Sequence, residues 1–138
     1  MVPIPDESAR ADITARLDSL ASALEQHPQW TPPNPHPALL QLWDFVKRSH
    51  YIMTELENIR TGRPVKHPDQ IPPHEDATDN EERAQMSFTD VLTRTLTINK
   101  IVTTPSMMAI MGQPNIEFGD DVKTKSQELQ DAILSVPE

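Results

Sequence analysis

The sequence contains no cysteine, which excludes a disulfide framework and a thiolate metal site. Its three glycines are too few for a glycine-rich loop that cradles phosphate groups. No run approaches the roughly 18 apolar residues of a membrane-spanning helix. The first ten residues lack the basic-then-apolar order of a secretory signal peptide. We therefore expect an intracellular protein that does not cross a membrane.

Positive charge is also scarce. Lys and Arg together number 12 against 21 Asp and Glu, and the formal net charge is -9. Binding to a nucleic-acid backbone depends on a positive surface that displaces counterions from the phosphates. No direct nucleic-acid partner is therefore expected.

Proline, in contrast, is abundant, with 14 residues concentrated in two stretches. Because proline fixes φ and lacks a backbone donor, neither stretch can lie inside a helix. We predict one helical domain over residues 1–138, with an N-terminal helix within 1–27, a Pro-rich linker at 28–37, and a helical core at 38–135. The second Pro-rich stretch, 63–79, is predicted to be a mobile insert in that core.

Apolar residues recur at helical spacing between these stretches, as Ile13, Leu17, Leu20 and Leu24 do in the first helix. The same reasoning predicts helices at 6–26, 37–61, from Asp79 or Asn80 to about Leu96, 97–103, 105–111 and 120–134. The pattern of the second helix is apolar on more than one side, which indicates a central helix or one that also contacts a partner.

The fold class predicted from these patterns is all-α, an irregular bundle of five to six helices joined by Pro-rich loops. The short helices around Pro105 favour an irregular end over a regular four-helix bundle. Helix-face residues make up the predicted core: Leu17, Leu20, Leu42, Val46, Met53, Leu56, Val91, Leu92, Ile101, Ile110, Val122 and Leu129.

Residues capable of catalysis or metal binding are few. His67 and His74 share the second Pro-rich stretch with Asp69, Glu75 and Asp76, yet their spacing matches no zinc motif. A solvated acidic loop is the simpler interpretation, and His50 fits a hydrogen-bonded residue on an apolar helix face. We predict no catalytic residue, no metal site and no cofactor.

Several apolar side chains are better candidates for binding a protein. Met107, Met108 and Met111 cluster in one short helix, and methionine recurs both in cores and at adaptable binding surfaces. Ile116 and Phe118 follow in a loop, where they are either tucked beneath it or exposed as anchors. Trp30 either pins the first linker onto the second helix or acts as an exposed anchor.

The segment 96–126 resembles the helical domain named after the N-terminus of the transcription elongation factor TFIIS, and most closely its integrase-binding-domain variant in chromatin factors. Leu92, Leu96 and Thr97 match the leucine-rich helix and the turn that follows it. Further matches are Ile101, Thr104, Met107, Ile110, Met111, and the final Val-x-x-Lys-Ser pattern at Val122, Lys125 and Ser126, with Leu129 beyond it.

In that family, the loop before the last helix helps to bind short disordered motifs built around aromatic residues. The resemblance implies that Ile116 and Phe118 are the corresponding positions here. It also implies a transcription- or chromatin-linked, nuclear adaptor.

The leading hypothesis is thus a non-catalytic protein-interaction scaffold that docks a short disordered or helical partner segment at Ile116, Phe118, Met111 and Met107. A second hypothesis is a structural subunit or homo-oligomerising helical scaffold, motivated by the wide apolar coverage of the second helix. A third is an enzyme or metal protein that uses His67, His74 and nearby carboxylates.

Overall fold

The computed structural model describes residues 3–104 and 116–137. These residues form four α-helices: α1 (Glu7–Glu25), α2 (Pro37–Thr61), α3 (Asn80–Thr103) and α4 (Asp120–Leu134). A single 3-10 turn, Pro68–Gln70, lies in the α2–α3 connector, and the described residues contain no strand. The all-α class is confirmed.

The helix ends follow from capping chemistry. The Asp6 side chain accepts a hydrogen bond from the backbone N–H of Ala9, and Asp79 accepts one from that of Glu82. Pro37 occupies the first turn of α2, and Gly62 ends that helix at φ 77. These ends agree with the predicted ones to within one residue.

The number of helices is a correction to the prediction. Residues 97–103 are not a separate helix but continue α3 without a break. The hydroxyls of Thr95, Thr97 and Thr103 each donate to the carbonyl four residues back, so these polar groups find hydrogen-bond partners within the helix. Burial of Ile98, Ile101 and Val102 outweighs the low helix propensity of β-branched residues. The helix predicted at 105–111 lies outside the described residues.

Each helix packs against two others, because α2 contacts α1 and α3, and α4 contacts α3 and α1. Contacts between side chains give the directions. Arg10 reaches Glu57 at 3.6 Å and Trp43 Nε1 donates to Glu25 at 3.1 Å, so the start of α1 lies beside the end of α2. Arg16 and Glu128, 3.5 Å apart, join α1 to α4.

The described residues therefore form an antiparallel up-down-up-down four-helix bundle, more regular than predicted. The core lies along its axis and includes ten of the predicted residues as buried side chains: Leu17, Leu20, Leu42, Val46, Met53, Leu56, Val91, Ile101, Val122 and Leu129. Leu92 is only partly buried, and Ile110 lies outside the described residues.

The wide apolar coverage of α2 is explained by its two neighbours. Leu39 and Val46 are buried, as are Ile52 and Ile59 on another side of the helix. A helix that packs between α1 and α3 needs apolar residues on both of those sides. This pattern therefore does not by itself require a partner chain.

None of the helices in the described ranges combines the length and the apolar character that crossing a bilayer demands.

Candidate docking cleft

An open cleft lies at the pole of the bundle where α1 ends and α4 begins. It encloses about 690 Å³ and is lined by His27, Pro28, Gln29, Ile116, Glu117, Phe118 and Gly119. Two segments form its walls: the start of the α1–α2 connector and residues 116–119, which lead into α4. Two of the four predicted docking residues, Ile116 and Phe118, are thus brought to one site.

His27 fastens the two walls together. Its Nε2 lies 2.7 Å from the carbonyl oxygen of Glu117, and its Nδ1 accepts from the backbone N–H of Gln29 at 3.1 Å. Because an amide N–H can only donate, Nδ1 must be unprotonated, and the proton of the neutral ring sits on Nε2 and is donated to Glu117. The ring also meets Phe118 edge to face, with centroids 5.8 Å apart.

Ile116 and Phe118 flank Glu117 in the segment before α4. Ile116 is 2% exposed and Phe118 5%, whereas Glu117 points to solvent. Of the two arrangements considered for this loop, the structure shows the tucked one: both side chains belong to the core and form the floor of the cleft. Met107 and Met111 lie outside the described residues.

One acidic residue, Glu117, lines the cleft, and two more follow directly after its last lining residue, Gly119. Glu117, Asp120 and Asp121 are all exposed, and the last two begin α4, where carboxylates complement the helix dipole. Lys125 binds Asp121 at 2.6 Å, whereas Glu117 and Asp120 remain as carboxylates facing solvent. The rim of the cleft therefore favours a positively charged neighbour.

Trp30 lies close to the same pole and packs on Trp43, with ring centroids 5.8 Å apart. Trp43 is itself held by Glu25 and has the Lys47 ammonium 5.8 Å from its ring. Both tryptophans are partly buried, so Trp30 pins the Pro-rich connector onto α2.

The histidines of the catalytic hypothesis have separate partners. His67 packs on Tyr51 with tilted rings whose centroids are 4.6 Å apart, whereas His74 Nε2 lies 2.6 Å from Asp90 Oδ2 on α3. His50 lies 3.1 Å from Asp18, which makes it a link between α1 and α2. Within the ranges 3–104 and 116–137, no three His, Asp or Glu side chains converge as a metal-ion site would need.

Arg94 lies one turn beyond Asp90 and is half-buried between α2 and α3. Burial lowers the pKa of its guanidinium, while the nearby Asp90 carboxylate acts in the opposite direction. Its Nη1 atom is buried without a hydrogen-bond partner among the described residues.

Sequence reasoning missed Glu55, a 2% exposed carboxylate on α2. It accepts from the backbone N–H groups of Lys66 and His67, and so anchors the α2–α3 connector. A signal was available, because Glu55 interrupts the apolar row Ile52 and Ile59 at spacings of three and four. An acid in such a row indicates a buried carboxylate with local donors.

Comparison with protein-family models, with curated protein sequences and with solved structures gives no match. The resemblance to the TFIIS N-terminal family therefore stays a prediction, and the interpretation of the cleft rests on its own residues.

Proposed function

We propose that this protein is a non-catalytic interaction module whose cleft binds a short segment of a partner protein. The observation that carries the proposal is the open cleft of about 690 Å³ floored by Ile116 and Phe118. Its size falls within the range of about 300–1,000 Å³ typical of ligand sites. The resemblance adds a transcription- or chromatin-linked, nuclear context to the proposal.

The chemistry of the walls defines the class of segment. An apolar floor favours an aliphatic or aromatic anchor, and the Glu117 and Asp120 carboxylates favour Lys or Arg beside it. A disordered segment loses conformational freedom when it binds, so we expect moderate affinity. The partner proposed here is a short basic segment with one large apolar side chain.

Titration with synthetic peptides tests this proposal. One 12-residue peptide carries a Phe flanked by lysines, a second replaces Phe by Ser, and a third replaces the lysines by glutamates. We expect the first to bind most tightly and to shift the amide NMR signals of residues 27–29 and 116–119. Equal binding of all three, or binding of none, contradicts the proposed function.

A charge reversal locates the site. Because Ile116 and Phe118 are buried, truncating them would also damage the core, so the variant is Glu117→Lys combined with Asp120→Lys at exposed positions. We expect binding of the lysine-flanked peptide to weaken about tenfold or more. Asp12→Lys with Glu7→Lys on α1, also exposed, is the matched control. If the control weakens binding equally, the cleft is not the site.

A further inference from the structure

A second pocket lies at the opposite pole of the bundle from the docking cleft, where α2 ends and α3 begins. It encloses about 330 Å³. Three segments contribute to its lining: the last turn of α2, the α2–α3 connector from Arg63 to Pro73, and the first turn of α3 at Asn80 and Arg83. This cavity is named the connector pocket.

Part of the connector pocket is apolar. Val65, Ile71 and Pro72 line it and are only partly buried, and Ile59 of α2, at 6% exposed, lies beneath them in the core. The volume is near the lower end of the range of about 300–1,000 Å³ that is typical of small-molecule sites. The pocket therefore suits a compact ligand with an apolar portion.

Two arginines, Arg63 and Arg83, line the same pocket, whereas no Asp or Glu of the described ranges does. Neither arginine forms an ion pair with a carboxylate of residues 3–104 or 116–137, although the protein has 21 acidic residues. Four other arginines do lie within 3.6 Å of a carboxylate oxygen, namely Arg10, Arg16, Arg48 and Arg60. The connector pocket is thus a local positive site on an acidic protein, which favours an anion.

The guanidinium group of Arg83 is held in place by the protein. Its Nε donates to the carbonyl oxygen of Pro73 at 3.3 Å, and its Nη1 donates to Asn80 Oδ1 at 2.7 Å. A guanidinium has five N–H groups, so these two bonds leave donors for a ligand. Because the group is already oriented, a ligand that binds it loses less free energy to ordering the side chain.

Glu57 is the carboxylate for which Arg63 competes with other cations. The hydrogen bond from Arg60 is the main cause that lowers the pKa of Glu57, and the charge of Arg63 has the smallest effect of the three arginines near it. Glu57 lies 2.5 Å from Arg60 and 3.6 Å from Arg10, and it does not line the connector pocket. The charge of Arg63 is therefore not neutralised by a close partner.

We propose that the connector pocket binds a small organic acid in which one carboxylate is joined to a compact apolar body. Arg63 and Arg83 bind the carboxylate, since N–H···O bonds between two charged groups are stronger than those between neutral groups. The apolar wall around Val65 and Ile71 covers the body of the ligand. The site lies at the other pole from the docking cleft and does not depend on what that cleft binds.

NMR titration of the whole protein with phenylacetate tests the proposal. This probe has about ten non-hydrogen atoms, and we expect a Kd of about 1 mM or below. The amide signals of residues 58–71 and 80–83 should shift, whereas those of residues 27–29 and 116–119 should stay in place. A Kd above about 10 mM, or shifts confined to other residues, overturns the proposal.

Three further probes separate the two parts of the recognition. Phenylacetamide keeps the apolar body without the charge, and acetate keeps the charge without the ring. Each should bind at least about tenfold more weakly than phenylacetate, because each lacks one of the two contacts. Inorganic phosphate should also bind more weakly, for want of an apolar body. Equal binding of phenylacetate and phenylacetamide, or tighter binding of phosphate, contradicts the proposed class of ligand.

Arg63→Gln locates the site, since it removes one charge at an exposed position. We expect the affinity for phenylacetate to fall about tenfold, because one of the two cations that bind the carboxylate is lost. The matched control is Lys66→Gln, which removes an exposed charge from the same connector outside the pocket lining and should leave the Kd unchanged. Circular dichroism verifies that both variants keep their helices. An unchanged Kd in Arg63→Gln, or equal weakening by Lys66→Gln, overturns the assignment.

Discussion

Glu55 shows how one buried carboxylate can organise a connector. Its oxygens accept from two consecutive backbone N–H groups, at Lys66 and His67, and from the Asn58 side chain at 3.2 Å. A second attachment of the connector is the hydrogen bond between the side chains of His74 and Asp90. Mobility of the 63–79 insert stays a prediction, but its attachment to α2 and α3 at these points is visible.

Replacement of Glu55 by Gln tests this role. Gln keeps the shape, but its neutral amide oxygen replaces the charged acceptor of the two backbone N–H groups and its NH₂ group faces the Asn58 side chain, so we expect a loss of about 1–3 kcal/mol in the free energy of unfolding. Urea denaturation followed by circular dichroism measures it.

The control is Glu57→Gln on the same helix. Arg60 donates to Glu57 and lowers the pKa of that carboxyl. The contribution of this ion pair to the free energy of unfolding is therefore present above the usual carboxyl titration range and is lost as the pH falls through the lowered pKa. Both groups are exposed to solvent, so no measurable change in stability is expected. A loss as large as that of Glu55→Gln would show that Glu55 has no special role.

At the scale of elements, α2 and α4 were predictable because their ends carry strong local signals: Pro37 and Gly62 for one, Asp120 for the other. The continuation of α3 through Thr97 was not predictable, because its β-branched residues lower the local helix propensity. The packing that offsets this low propensity comes from helices that are distant in the sequence. Burial of Ile116 and Phe118 was undecided for the same reason. The His27 ring that contacts Phe118 and the Glu117 carbonyl comes from about 90 residues earlier in the chain.

Gly62 has a backbone conformation that favours glycine over any other residue. It ends α2 at φ 77, and a Cβ there would lie 2.6 Å from the Asn80 side-chain nitrogen. We expect Gly62→Ala to lower the free energy of unfolding by about 1–2 kcal/mol, because a left-handed backbone is costly for alanine. Thermal and urea denaturation measure the loss.

Gly119→Ala is the matched control, since Gly119 has φ -74 and open space around its Cβ position. We expect its stability to equal that of the unmodified protein. A loss at Gly119 as large as at Gly62 would mean that the left-handed conformation is not the cause.

At the scale of the molecule, the packing of each helix against two others could not be predicted from the sequence, since it joins residues far apart along the chain, as the pairs Arg10–Glu57 and Arg16–Glu128 illustrate. As a consequence, each of the four helices is held by contacts with two others. Trp30 lies in the α1–α2 connector and Trp43 on α2, so their fluorescence reports on that side of the bundle, while circular dichroism reports on all four helices.

Leu129→Ala removes a fully buried side chain from α4. We expect a loss of about 2–5 kcal/mol, and we expect tryptophan fluorescence and circular dichroism to show it at the same denaturant concentration, as in two-state unfolding. Leu134→Ala, on the same helix but half-exposed, should change little. A fluorescence transition that stays in place would indicate that α4 unfolds separately.

The bundle has two unlike poles. Ala9 and Pro137 line one groove, so the described chain enters and leaves at the same pole. The docking cleft lies at the other, one length of α1 away, which for 19 residues is about 28 Å. A surface tether or fluorescent label joined near residue 3 or residue 137 would therefore sit remote from the cleft and leave its mouth unobstructed.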